Sequence, residues 1–176
     1  LKNTLKNPDR ILFDPSIDVV SIATYDNSHC DLIEKAIKNR KHIFVEKPLC
    51  LDKKEYELIC KLLSNNKDLK LSSNLILRKT PRFISLKDKI DKGVLGLPYY
   101  IEGDYDYGRI NKILEGWRGQ IPNYSVMHGG GIHLIDLISW ILSKKVQEVF
   151  AFGTNIATAS TNFRGNDMVA ALLKFD

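Results

Sequence analysis

The chain is 176 residues long, 44% hydrophobic and 27% charged, enough for one sizeable core or two small ones and too apolar for a disordered segment. No apolar run approaches the roughly 18 residues that span a bilayer, and no charged segment followed by an apolar stretch opens the chain as a secretory signal would, so a cytoplasmic protein without a membrane partner is expected. The formal charge of +5 comes from scattered lysines, with no run of like charges and no basic-aromatic ribbon, which argues against nucleic acid and suits an anionic small molecule. Three cysteines, Cys30, Cys50 and Cys60, are odd in number and lack metal-ligand spacing, so neither a disulfide framework nor a metal site is expected.

The stretch Ile17 to Thr24, IDVVSIAT, is β-branched and apolar nearly throughout, which predicts a central parallel strand covered on both faces. Ser28 with Asp31 three residues on forms a capping-box pattern, and Cys30, Ile33, Ala36 and Ile37 line one face of the helix that follows. A second strand, HIFVEK, comes next. Asp52 with Glu55 repeats the capping pattern before a helix whose buried stripe is read as Tyr56, Ile59, Cys60 and Leu63. A third strand is expected over roughly Leu69 to Leu77. Strand, helix, strand, helix, strand with short links is the pattern of right-handed crossovers building a parallel sheet.

After Pro81 the pattern changes. A helix over Arg82 to Asp91 ends at Gly93, and PYYIEGDYDYG, with Tyr105 and Tyr107 alternating with Asp104 and Asp106, reads as a strand with one open face. GGGIHLIDLISWILS is apolar almost all round and predicts a helix buried between layers, while VQEVFAFGTNI and MVAALLKF read as later strands. The fold class expected is α/β: part of a doubly wound parallel sheet over residues 1–78, then part of an α+β domain with a mostly antiparallel, open-faced sheet over residues 79–176. Such open faces commonly bury against another copy, so a homodimer or homotetramer is expected of the complete protein.

In open α/β sheets the ligand sits outside the carboxyl ends of the strands. Those ends carry Thr24 with the loop YDNSH, then Glu46-Lys47-Pro48, then Asn74 to Arg78, and all are expected to face one crevice. Lys47, shielded by Phe44, Val45 and Leu49, is placed to lose solvation of its charged form and to serve as an acid or base. Glu46 beside it points to the other face, because successive strand side chains alternate. The alternative is that both residues simply leave the sheet edge for water.

Taken together, IDVVSIATYDNSHCDLIEKAIKNRKHIFVEKPLCLD resembles the second half of the nucleotide-binding domain of the Gfo/Idh/MocA oxidoreductases, with its E-K-P tripeptide preceded by an A-T-x-x-x-x-H segment. NLILRKTPRFISLKDKIDKGVLG is similar to that family's join between domains, and GGGIHLIDLISW resembles its glycine-rich, histidine-bearing helix. The likeness covers nearly the whole chain. It implies a longer enzyme whose G-x-G-x-x-G turn would lie before Leu1 and whose last strands would follow Asp176, so this stretch alone is expected to bind cofactor poorly.

The resemblance also implies roles. Thr24, Asn27 and His29 would line an NAD or NADP dinucleotide near its ribose and nicotinamide, Glu46 would contact the nicotinamide ribose or amide, and Lys47 would hold the reacting hydroxyl. A cis Lys47-Pro48 peptide would aim that lysine; X-Pro is the bond where cis costs only about 0.5–1 kcal/mol. His133 would share proton transfer with an aspartate four residues earlier, where this sequence has Gly129, and His128 is the nearest possible substitute. A histidine satisfied within its own helix by Asp136 is the other reading of His133.

Asn74 and Arg78 are candidates for holding substrate at the domain join, or for serving only the hinge. Arg118 fits a carboxylate or phosphate, and Trp117 a sugar ring or the nicotinamide, unless the pair is packing and surface charge. The function implied is NAD(P)-dependent hydride transfer to or from a hydroxyl of a sugar, cyclitol or nucleotide sugar. The alternative, motivated by Gly129, is a regulator that binds a dinucleotide or sugar without chemistry.

Overall fold

The computed structural model describes residues 7–106, 108–122 and 124–176. It divides into two compact units, Leu1–Asn74 and Leu75–Asp176.

In the first unit, β1 (Val19–Ile22), β2 (His42–Val45) and β3 (Leu71–Ser73) form a parallel sheet in the order 1-2-3, with Val20 opposite Ile43 and Ile43 opposite Leu71. Helix α2 (His29–Lys38) joins β1 to β2, and α3 (Lys53–Ser64) joins β2 to β3. Both crossovers step the same way across the sheet, so right-handed connections bring both helices to one face. Burial follows that geometry: Val20, Ile22, Ile43 and Val45 are buried with Cys30, Ile33, Ala36 and Ile37 of α2 and Ile59 of α3, while Val19 and Phe44 on the other face are exposed. Cover on both faces, expected from the unbroken apolar sequence, is therefore not found within this unit. A short helix, α1 (Asp9–Leu12), adds Leu12 to the same core. Each fully buried aliphatic side chain here contributes about 1.5–3 kcal/mol.

The two expected capping boxes divide. Asp52 Oδ1 accepts from Glu55 N at 2.9 Å, and Glu55 Oε2 accepts from Leu51 N at 2.7 Å, so α3 is capped as its sequence predicts. Ser28 makes no such cap, because a 3-10 turn over Asp26–Ser28 leaves it at φ −107°, ψ −3°, outside the extended conformation a capping side chain needs. Its Oγ lies instead 2.7 Å from Thr24 Oγ1 and 2.8 Å from the Tyr25 carbonyl oxygen.

The stripe of α3 is also rotated from its expected place. Leu58, Ile59, Leu62 and Leu63 pack inward, whereas Tyr56 and Cys60 are exposed; the face with four aliphatic residues wins over the one with a phenol and a thiol. Strand β3 stops at Ser73 because β2, its partner, ends at Val45, and Ile76–Lys79 is a 3-10 turn rather than more strand. At the amino end of the sheet the buried Lys41 donates from Nζ to the carbonyl oxygens of Asp14 and Ile17, at 2.5 and 2.6 Å, fixing the entry to β1.

In the second unit, α4 (Pro81–Asp91) starts on the proline and ends before Gly93, whose φ of +69° suits a residue without a side chain. After α5 (Asn111–Leu114) come a 3-10 turn at Trp117–Gln120, a π-helical turn at Met127–Gly131 and α6 (Ile132–Leu142), which packs on α4. No residue of α6 is exposed, as its apolar sequence predicts, and His133, Leu137 and Ile141 form its most buried edge. Strands β4 (Val146–Thr154) and β5 (Met168–Phe175) pair antiparallel, with Phe150 opposite Leu172. Both faces of this hairpin are exposed: Val149 and Phe150, which point opposite ways, are 63% and 62% accessible.

The strand expected over PYYIEGDYDYG is not formed. Among the described residues of that stretch, 98–106 pair with no other strand, and alternation without a ladder partner does not make a sheet. Tyr107 lies outside the described residues. No helix among the described residues is long and apolar enough to cross a membrane.

Candidate functional site

The carboxyl ends of the first unit's strands bring several of the expected residues together. Thr24 and Asn27 are exposed beyond β1, Glu46 and the half-buried Lys47 follow β2, and Asn74 follows β3. Backbone bonds lock these ends: Glu46 N donates to Ile22 O and Asn74 N to Val45 O, both at 2.8 Å. Asn74 Nδ2 then donates to Glu46 Oε1 at 2.6 Å, which orients a carboxylate through a side chain the sequence had offered for substrate. The Lys47-Pro48 peptide is cis. Of the expected shield around Lys47, Val45 is buried and Leu49 half-buried, but Phe44 is exposed on the open face.

His29 departs from its expected place. It has no accessible surface, and its ring lies between two loops, with Nδ1 2.7 Å from the Pro48 carbonyl oxygen and Nε2 3.3 Å from that of Thr24. A fully enclosed imidazole does not line a dinucleotide. Nothing in the sequence distinguished a ligand-facing histidine from this one, because both begin a helix just after a strand. Two thiols in this unit are poor nucleophiles: burial, helped by the charge of Glu55, pushes Cys30 and Cys50 each up to about 11.

The second unit carries the other candidates. His133 is buried near the start of α6 and stacks on Tyr105, ring centroids 6.0 Å apart and planes 20° from parallel. Its expected partner within the helix, Asp136, is instead engaged by Arg78: Nε of Arg78 donates to Oδ2 at 2.8 Å, and Nη2 donates to Oδ1. That fork raises Arg78 above its ordinary value, chiefly through the hydrogen bond to the carboxylate. The fork gives Arg78 a structural role, tying the turn at Ile76–Lys79 to α6.

His128 accepts from Ser125 N at 3.1 Å through Nδ1 and tilts against Tyr124, ring centroids 5.4 Å apart. Gly129, where the resemblance implies an aspartate, has a reason of its own: a Cβ there would lie 2.7 Å from the hydroxyl of the buried Tyr124. Tyr124 was not singled out from the sequence, since nothing local links a tyrosine to a glycine five positions on. The guanidinium of Arg118 lies 4.3 Å from the ring centroid of Trp117, so the two cover one another in a half-buried turn. Among the described residues, no group of three or more His, Cys, Asp or Glu is placed to hold a metal ion.

A parallel sheet that gathers a hydroxyl, an amide, a carboxylate and an amine at its carboxyl edge, followed by an α+β unit, is the architecture of a doubly wound, ligand-binding α/β domain joined to a second domain. Comparison with known proteins narrows the class. The family profile described as "Oxidoreductase family, NAD-binding Rossmann fold" matches residues 2–74, and "GFO/IDH/MocA C-terminal domain" matches residues 83–176. The chain belongs to the Gfo/Idh/MocA oxidoreductase family.

Among its relatives, the myo-inositol 2-dehydrogenase of Thermotoga maritima is 26% identical over 99% of this chain and 51% of its own length. The scyllo-inositol 2-dehydrogenase (NAD(+)) of Bacillus subtilis is 29% identical over 97% of this chain and 49% of its own. The chain spans about half the length of the curated relatives it matches. The crystal structure of the myo-inositol 2-dehydrogenase from Lactobacillus plantarum superposes with a TM-score of 0.85 at 21% identity, covering 98% of this chain and 51% of that one, a likeness of fold.

Proposed function

We propose that the complete protein is an NAD-dependent dehydrogenase that oxidises a ring hydroxyl of a cyclitol or a closely similar sugar alcohol. The observation that carries this reading is the likeness, along almost the whole chain, to two inositol dehydrogenases, one of them named for NAD(+). The placement of Lys47 and Glu46 at the carboxyl edge of the sheet supports it.

The donor set fits the nicotinamide-ribose end of a dinucleotide. Thr24 and Asn27 offer a hydroxyl and an amide, and Glu46, held by Asn74, offers a carboxylate oxygen to ribose hydroxyls or a carboxamide. The sequence has no glycine before Gly93, so a glycine-rich pyrophosphate turn is not among these residues. A nicotinamide held there would supply the acceptor for the hydride of the carbinol carbon. Lys47 would take up the hydroxyl proton as the carbinol carbon gives up its hydride, leaving the oxygen as a carbonyl. His133, in the second unit, is the second proton-handling candidate; His128 remains a candidate for substrate hydroxyls and Arg118 for a carboxylate or phosphate. Holding the reacting groups near contact lowers the barrier by several kcal/mol at the order-of-magnitude level. We propose further that the complete protein is a homodimer or homotetramer, a reading supported by the apolar residues that β4 and β5 leave exposed.

The test incubates the complete protein with NAD+ or NADP+ and a panel of inositols and sugars while following the absorbance of reduced nicotinamide. Reduction with a cyclitol and NAD+ is expected. A protein whose melting temperature rises with dinucleotide but which turns over no member of the panel would be a binder, and the catalytic reading would fall.

A further inference from the structure

His29 is fully enclosed, and its ring joins the loop leaving β1 to the loop leaving β2. Its closest partner is the Pro48 carbonyl oxygen, one residue beyond Lys47. On the other side of Lys47, Glu46 N is bonded to Ile22 O at 2.8 Å. Pro48 itself is fully buried. Lys47 is therefore the half-buried middle of a three-residue span fixed at both ends, by the sheet before it and by an imidazole after it. Releasing the second anchor leaves a buried carbonyl without its donor and frees the backbone on which the amine is mounted.

We propose that His29 is a positioning residue for Lys47: the Nδ1–H donated to the Pro48 carbonyl oxygen fixes where the Lys47 amine sits, and the ring makes no contact with the dinucleotide. The proposal rests on Lys47 being the proton-handling group. A neutral imidazole carries one ring proton, and the 2.7 Å contact assigns it to Nδ1. With that proton on Nδ1, Nε2 carries a lone pair, so its 3.3 Å approach to the Thr24 carbonyl oxygen is a contact and not a hydrogen bond.

Two amides separate these contacts, since an asparagine side chain places its NH2 where Nδ1 stands and a glutamine places its own where Nε2 stands. In the complete protein, His29→Asn keeps kcat within a few-fold of the parent. His29→Gln and His29→Leu lose roughly a hundredfold in kcat, the cost of a misplacement near 1 Å, with KM for NAD+ unchanged. Leucine matching asparagine would reduce the histidine to filler, glutamine outperforming asparagine would move the function to Thr24, and a raised KM for NAD+ at full kcat would make His29 a cofactor residue; each overturns the proposal.

A readout independent of turnover is the NMR titration of the Lys47 side chain in isotope-labelled protein, its signal identified by Lys47→Arg. His29→Asn is expected to leave that titration in place and His29→Leu to shift it; coincident curves for all variants overturn the proposal. In the parent, ¹⁵N shifts of His29 are expected to show a protonated Nδ1, and an unprotonated Nδ1 overturns it without any variant. If the complete protein turned over no substrate, the dehydrogenase reading would fail while these two spectra still decided the role of His29.

Discussion

The two units of the chain are held together by different means. The first has a closed core in which Ile33, Ala36 and Val45 have no accessible surface and two helices cover one side of a parallel sheet. The second joins buried residues such as Ile121, Leu137, Ile141 and Phe163 to polar anchors, among them the Arg78–Asp136 fork and the buried Thr158, whose N and Oγ1 both donate to Asp167 Oδ2, at 2.7 and 2.8 Å, beside a hairpin exposed on both faces. The contrast teaches where precision comes from. In the first unit, packing fixes the strand ends and the strand ends fix Glu46, Lys47 and Asn74; in the second, side-chain bonds specific to this sequence set the surroundings of His133 and His128.

The largest expected effect tests whether chemistry follows the better-packed unit. In the complete protein, Lys47→Ala lowers kcat by roughly 10²–10⁴-fold in the nicotinamide assay with the melting temperature nearly unchanged. Undiminished turnover would remove Lys47 from the mechanism.

Next comes the contrast in packing itself. Ile33→Ala, at a site with no accessible surface, costs about 2–5 kcal/mol by urea denaturation, whereas Val149→Thr on the hairpin costs no more than about 0.5 kcal/mol. A Val149 cost as large as that of Ile33 would show that the hairpin is covered in the complete protein and would erase the contrast. Smaller again, Asp52→Ala removes a true helix cap and costs about 1 kcal/mol, while Ser28→Ala, whose hydroxyl caps nothing, costs less than half of that.

The smallest effect is a ranking of thiols. Iodoacetamide near neutral pH labels the exposed Cys60 first, read by peptide mass spectrometry. Cys30 and Cys50, raised to about 11, are mostly thiol there, and labelling of Cys50 climbs as pH rises toward that value.

The first unit was the more legible because its signals are local and repeated. The inward face of α2 came from the spacing of Cys30, Ile33, Ala36 and Ile37, and the carboxyl edge of the sheet followed from strand order alone. What escaped was choice among near-equals: the stripe of α3 lay one position round from the expected one, and Ser28 looked like a cap but was preceded by a turn that spoiled its backbone. His29 was legible as a residue near the site but not as an enclosed one, because enclosure depends on Pro48, nineteen residues away. The second unit gave less because its contacts are long-range. Asp136 meets Arg78 across 58 positions of sequence, and no periodicity predicts that. The strand expected from Pro98 onward had the right alternation but lacked a partner, and alternation alone cannot supply one.

The crowding at Gly129 carries a consequence for how this helix can change. Restoring a carboxylate there by one substitution places its first carbon against an oxygen that is already enclosed. Removing that oxygen first, by Tyr124→Phe, clears the space, since the nearest remaining ring carbon is 3.7 Å away. The two positions are therefore coupled: an acid at 129 needs the phenol oxygen moved or removed, so Gly129→Asp with Tyr124→Phe is expected to cost less stability than Gly129→Asp alone.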